Sequence, residues 1–126
     1  MKLLLDTHLL LWAAAGDAPR ALKTLLLDVE STPVFSAASI WEVAIKTGLG
    51  RPDFSVDAGL LRRGLLDNGY LELAVESAHT AAVARLPPLH KDPFDRMLIA
   101  QASVEGIVLL TADAVVAGYP GPIQKI

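Results

Sequence analysis

Leu3-Leu4-Leu5-Asp6 constrains this chain more than any other stretch. Three leucines in a row, with no polar residue between them, fit a strand buried on both faces, because a half-exposed strand would alternate. A strand covered on both faces needs helices above and below it, which is the layout of a parallel α/β sheet. Asp6 then stands at the carboxyl end of a central strand, the edge along which open α/β sheets bind ligands. The same grammar recurs at Ile107-Val108-Leu109-Leu110, followed by Thr111-Ala112-Asp113. Two such strands side by side would release Asp6 and Asp113 at one end. Like charges that close need a cation between them to stay ionised.

The remaining segments alternate helix and strand. Helices are expected over 7–15, from Pro19 to about 31, over 37–47, 56–67 and 77–86, from Asp92-Pro93 to about 105, and briefly over 114–117. Further strands are expected at 33–36, 71–75 and, as an edge, 123–126. Gly16, Gly48, the Asn68-Gly69 turn and Gly106 punctuate the helix ends. No repeat, low-complexity tract or linker interrupts the 126 residues, so one domain over 1–126 is expected. Its class is three-layer α/β with a mostly parallel sheet.

At 52% hydrophobic residues and a mean hydropathy of +0.43, the chain is apolar for its size. We expect both an unusually complete core and some apolar surface kept for a partner. No apolar run approaches the roughly 18 residues that span a bilayer. Asp6 and His8 interrupt the first apolar stretch, which argues against a signal peptide. A cytoplasmic protein with no membrane partner is the expectation. The absence of cysteine excludes disulfides, zinc–thiolate sites and thiol nucleophiles. Net charge is −3, so no general basic field announces nucleic acid. Taking four acids out of −3 leaves +1, which is compatible with an anionic substrate held through metal and a few cations.

Two further acids compete for bland and functional readings. Glu42 lies in Ile40-Trp41-Glu42-Val43-Ala44-Ile45, a helix apolar nearly all round and therefore expected to be buried. An ionised Glu there is costly unless paired or metal-bound. Its bland reading is an i,i+4 pair with Lys46. In Asp92-Pro93-Phe94-Asp95-Arg96, Asp92 reads as an N-cap and Pro93 as N1. Capping accounts less fully for Asp95 at N3, where a capping box prefers Glu or Gln. Asp113 also has a capping reading, and Thr111 that of a turn residue. Oxygen ligands without Cys suit Mg²⁺ or Mn²⁺ rather than zinc. Of the histidines, His79 is expected on the surface, His8 at a solvated helix position, and His90 is the one worth testing. Trp12, Trp41, Phe35 and Phe94 read as core rather than as base-stacking platforms.

Four stretches together resemble a known family: Leu5-Asp6-Thr7-His8-Leu9-Leu10-Leu11-Trp12, Ser36-Ala37-Ala38-Ser39-Ile40-Trp41-Glu42-Val43-Ala44-Ile45-Lys46, His90-Lys91-Asp92-Pro93-Phe94-Asp95-Arg96-Met97-Leu98-Ile99-Ala100-Gln101-Ala102, and Leu109-Leu110-Thr111-Ala112-Asp113. They are similar to the PIN-domain family, in particular to the VapC-type ribonuclease toxins of toxin–antitoxin modules, nearly end to end. The resemblance implies an α/β/α domain whose five-stranded sheet runs 3-2-1-4-5. It implies a Mg²⁺- or Mn²⁺-dependent ribonuclease, usually a homodimer, inhibited by a cognate antitoxin. Carried over by motif, the metal-binding and catalytic quartet is Asp6, Glu42, Asp95 and Asp113, with Ser36 and Thr111 as supporting polar groups. Thr7 and His90 are further supporting candidates, and Lys46, Lys91 and Arg96 are candidates for phosphate contact.

Such a set supports hydrolysis of RNA by an activated water, with no covalent nucleophile from the protein. Nothing in the sequence reads a 2′-hydroxyl, so DNA stays open beside RNA. One rival is a catalytically weak PIN-like module whose main role is to occupy an antitoxin. Another is a phosphoacceptor receiver domain, but Thr7-His8 stands where its acidic pair would be required.

Overall fold

The computed structural model describes all residues, Met1–Ile126. Five strands, β1 (Lys2–Leu5), β2 (Thr32–Ser36), β3 (Leu71–Leu73), β4 (Val108–Thr111) and β5 (Ile123–Lys125), form one sheet in the order β3-β2-β1-β4-β5. Every neighbouring pair is parallel. Seven helices connect them: α1 (Thr7–Ala14), α2 (Arg20–Leu27), α3 (Ala37–Gly48), α4 (Ala58–Asp67), α5 (Ser77–Val83), α6 (Pro93–Glu105) and α7 (Ala114–Ala117). The expected strand order is the observed one.

Leu3, Leu4 and Leu5 are fully buried, as their continuous run requires. Because strand side chains alternate, Leu3 and Leu5 enter one core while Leu4 enters the other. The first core is closed by Leu9 and Leu10 of α1, Leu22 of α2 and Leu65 of α4. The second is closed by Leu98, Ile99 and Ala102 of α6 and Val116 of α7. Each fully buried leucine contributes about 1.5–3 kcal/mol through area removed from water. Central β1, flanked by β2 and β4, is therefore the rigid element that carries Asp6 at its end.

Helix ends follow local chemistry. At α6, Asp92 Oδ1 accepts the N–H groups of Phe94 (2.8 Å) and Asp95 (3.2 Å), and Gly106 stops the helix at φ 66°. Two helices stop short of expectation. α2 ends at Leu27 because Asp28 is extended and its carboxylate takes the Glu30 N–H at 2.9 Å, closing a turn. Pro19 lies one place before that helix, as its N-cap. α5 ends at Val83, where the guanidinium of Arg96 collects the carbonyls of Val83 (3.2 Å) and Pro87 (2.9 Å).

Three residues differ from expectation in burial. His79 is buried, not on the surface. Its Nδ1 accepts the Glu76 N–H at 3.0 Å at the start of α5, which draws the ring inward. Trp12 and Trp41 are 36% and 63% exposed rather than core, whereas Phe35 is buried. α3 turns Ala38, Ser39, Glu42 and Val43 inward, a single i,i+4 stripe, so Trp41 falls on the outer face and the helix is not buried all round. There Trp41 packs edge-on against half-buried Phe94, ring centroids 5.2 Å apart. No helix is long and apolar enough to cross a membrane.

Candidate functional site

At the carboxyl edge of β1 and β4 lies a cleft of about 630 Å³, lined by Asp6, Glu42, Asp95 and Asp113 among others. Asp6 leaves β1 as the N-cap of α1, its Oδ1 accepting the Leu9 N–H at 2.9 Å. Its Oδ2 accepts the hydroxyl of Thr111, from neighbouring β4, at 2.6 Å. Burial pushes this carboxyl above its ordinary range, partly offset by those two hydrogen bonds and by His8; Asp113 pushes it further up.

Glu42 points in from the buried stripe of α3 and is 5% exposed. Oε2 receives Lys46 Nζ at 2.7 Å, so the i,i+4 pair exists. Oε1, however, is buried with no hydrogen-bond partner. Asp95, at the start of α6, is pushed up to about 7, chiefly by burial and then by Asp92, with Glu42 and Asp6 adding to the push; His90 opposes it. Asp113 caps α7, accepting the N–H groups of Val115 (2.7 Å) and Val116 (3.2 Å). Burial raises it, but those backbone bonds and His90 outweigh burial, and its pKa falls below the ordinary value.

His90 joins the last two acids. Its Nδ1 accepts the Asp92 N–H at 3.1 Å, which leaves the ring proton on Nε2. Nε2 faces Asp95 Oδ2 at 3.1 Å and Asp113 Oδ2 at 3.6 Å. Thr111 reaches both acids of its edge, since its Oγ also accepts the Asp113 N–H at 3.0 Å. Thr7 lines the cleft while donating to buried Ser39 Oγ at 2.9 Å.

Three candidates are not brought to the cleft. Ser36 is fully buried, capping α3 through the Ala38 N–H at 3.0 Å. Arg96 is committed to the carbonyls that end α5 and to Tyr119 Oη at 3.1 Å, so its charge serves packing and not phosphate contact. Lys91 is exposed outside the lining. Sequence reasoning missed Arg51, Phe54 and Ser39. The available signal for the first two was a cation and an aromatic in a Gly- and Pro-rich loop, Gly50-Arg51-Pro52-Asp53-Phe54.

The donor set fits a hard divalent cation. It offers carboxylate oxygens, two of the acids are 5% exposed, and one buried carboxylate oxygen lacks any donor. Asp95 holds its proton to an unusually high pH chiefly because it is buried, with Asp92, Glu42 and Asp6 adding to the push. A carboxyl so perturbed in a cleft marks a candidate functional group.

An acid-lined cleft at the carboxyl edge of a 3-2-1-4-5 parallel sheet defines an α/β protein with its carboxylates gathered at that edge. Residues 3–121 match the PIN domain, and the chain belongs to that family. Solved structures share its fold. VapBC2 from Rickettsia felis, bound to a DNA fragment from their promoter, aligns with a TM-score of 0.75 at 15% identity, covering 99% of this chain and 98% of that one. A toxin–antitoxin complex from Klebsiella pneumoniae gives 0.66 at 17% identity, covering 96% and 94%. VapBC-1 from nontypeable Haemophilus influenzae gives 0.64 at 18%, covering 99% and 98%. No curated protein sequence matches the chain.

Proposed function

We propose that this chain is a divalent-metal-dependent ribonuclease acting as the toxin of a toxin–antitoxin pair. The observation that carries the reading is the convergence of Asp6, Glu42, Asp95 and Asp113 on one cleft, with Glu42 Oε1 unpartnered. These four residues would hold Mg²⁺ or Mn²⁺. A cation held there would supply positive charge opposite the charge that develops at phosphorus and would make an attacking water easier to deprotonate.

The protein's own groups would do the rest. Thr111 holds Asp6 in one orientation at the end of β1. His90 holds Asp95 and Asp113 through its Nε2 proton. Lys46 and Arg51, the cations of the lining, would meet the phosphates flanking the cut bond. The choice of RNA over DNA rests on family resemblance. So do the antitoxin partner and the homodimer, while the cytoplasmic location and the single domain over 1–126 rest on the sequence pattern. The neighbouring toxin–antitoxin complexes support the antitoxin.

A second reading has one observation of its own: Lys46 already neutralises Glu42 at 2.7 Å. A PIN domain whose lysine satisfies its own acids would cleave weakly and serve mainly to bind a partner. An RNA-cleavage assay and a calorimetric Mg²⁺ or Mn²⁺ titration together decide between them. The purified, antitoxin-free protein is incubated with total RNA and Mg²⁺ or Mn²⁺, beside an Asp6→Asn variant and an EDTA control. Cleavage lost in both controls supports the nuclease. No cleavage and no metal binding supports the binding module.

A further inference from the structure

The cleft contains more than the acids and their partners need. α1, capped by Asp6, carries His8, Leu11 and Trp12 at i, i+3 and i+4, hence on one face, and all three line the cleft. The loop after α3 adds Phe54 and Arg51 to the same lining. The Trp12 side chain is left 36% exposed and its indole N–H makes no hydrogen bond in the protein. His8 touches it only at a tilt, centroids 5.4 Å apart and planes at 59°, which does not cover the ring face to face. Arg51 is mostly exposed, and its one ion pair, to Asp53, is long at 3.6 Å.

The geometry points to a nucleobase-stacking subsite beside the acids: a base next to the scissile phosphate stacks on Trp12, with Phe54 beside it and Arg51 meeting that nucleotide's phosphate. This rests on the nuclease reading of the same cleft and assigns the grip on the base beside the cut to Trp12. A paired base has its faces covered by its neighbours, so a stacking wall selects an unpaired segment. A protein segment fits this wall less well. The molecule has a more apolar groove of about 860 Å³ between α1, α2 and α4, lined by Leu26, Leu60 and Leu61, where an aliphatic partner surface would go. The acid cleft instead combines flat aromatics with cations, the pairing that single-stranded nucleic acid uses.

The test uses tryptophan emission. A Trp41→Phe variant leaves Trp12 as the only indole. It is titrated with single-stranded oligoadenylate in Ca²⁺, and separately with the same strand paired to oligouridylate. Saturable quenching by the single strand and little by the duplex is expected. Trp12→Ala should weaken oligoadenylate binding about tenfold, measured by anisotropy of a labelled strand, and Trp12→Phe should restore most of it. On total RNA, Trp12→Ala should raise KM with kcat little changed. Quenching without cleavage would uphold the subsite while counting against the nuclease. Cleavage with no quenching, or with KM unchanged in Trp12→Ala, overturns the subsite and leaves the nuclease standing. Binding unchanged in Trp12→Ala assigns the wall to another class of partner and overturns it too.

Discussion

His90 with Asp95 and Asp113, and His79 with Glu76 and Glu105, each bring a ring nitrogen and two carboxylates within reach of one another. Both rings are wired alike. Nδ1 accepts a backbone N–H, from Asp92 at 3.1 Å in one case and from Glu76 at 3.0 Å in the other, so each Nε2 faces carboxylate as a donor. What lies behind them differs. Glu76 and Glu105 are exposed and keep their hydration. The unpartnered atom near His79 is a neutral amide oxygen, that of Gln101. Behind His90 stand Asp6 and Glu42, each 5% exposed, and the unpartnered atom is a carboxylate oxygen. Ligand-type residues in proximity do not by themselves make a cation site; the buried carboxylates behind His90, one oxygen of which has no partner, are what set the cleft apart.

The largest expected effect follows from that contrast. Asp6→Asn should lower RNA cleavage by at least about a hundredfold while the protein remains folded by circular dichroism. His79→Gln should leave the rate per folded molecule unchanged. Equal losses in the two variants would erase the distinction.

Next in size is stability at the other cluster. His79→Ala removes a buried ring and leaves the Glu76 N–H without its acceptor, which should cost about 2–3 kcal/mol in denaturant unfolding. Arg96→Ala should likewise destabilise, by about 1–3 kcal/mol, through the carbonyls it abandons. Its KM for RNA should stay put, in contrast to a phosphate-contact residue.

Asp95 sharpens the comparison through pH. Its pKa is about 7 in the fold against the ordinary 3.8 of an aspartate, so the folded state binds this proton more tightly than the unfolded state does. The stability this proton contributes is therefore full below about pH 4 and is lost as pH rises through about 7. Without added metal, Asp95→Asn should melt a few degrees above the parent protein at pH 8, and the gap should shrink towards pH 5. Mg²⁺ should raise the parent's melting midpoint at pH 8 and not the variant's. The smallest effect belongs to Glu105→Gln. Its 3.5 Å contact with His79 is partly exposed, so the change should stay within about 1 kcal/mol, with metal affinity untouched.

Much of this was legible in the residues. Leu3-Leu4-Leu5 and Val108-Leu109-Leu110 declare central strands because continuous apolar runs have no half-exposed alternative, and each ends beside an acid of the cleft. The capping roles of Asp92 and Asp113 were equally readable from their places before Pro93 and Ala114. His79 and Arg96 were not, because each is placed by backbone groups distant from any pattern in side-chain polarity. Arg96 reaches carbonyls ten and thirteen residues away, and no periodicity marks them. Trp12 and Trp41 were misplaced because apolarity alone predicts burial, whereas Trp12 lines the cleft at 36% exposure and Trp41 lies on the outer face of α3.

On the proposed function, the four-acid cleft holds a divalent cation and the His79 cluster does not. Calorimetric titration of the antitoxin-free protein with Mn²⁺ at pH 8 tests it directly, run beside Asp6→Asn and His79→Gln. Binding that disappears in Asp6→Asn and survives in His79→Gln is the predicted result. Binding that survives Asp6→Asn, or no binding in the parent protein, would contradict it.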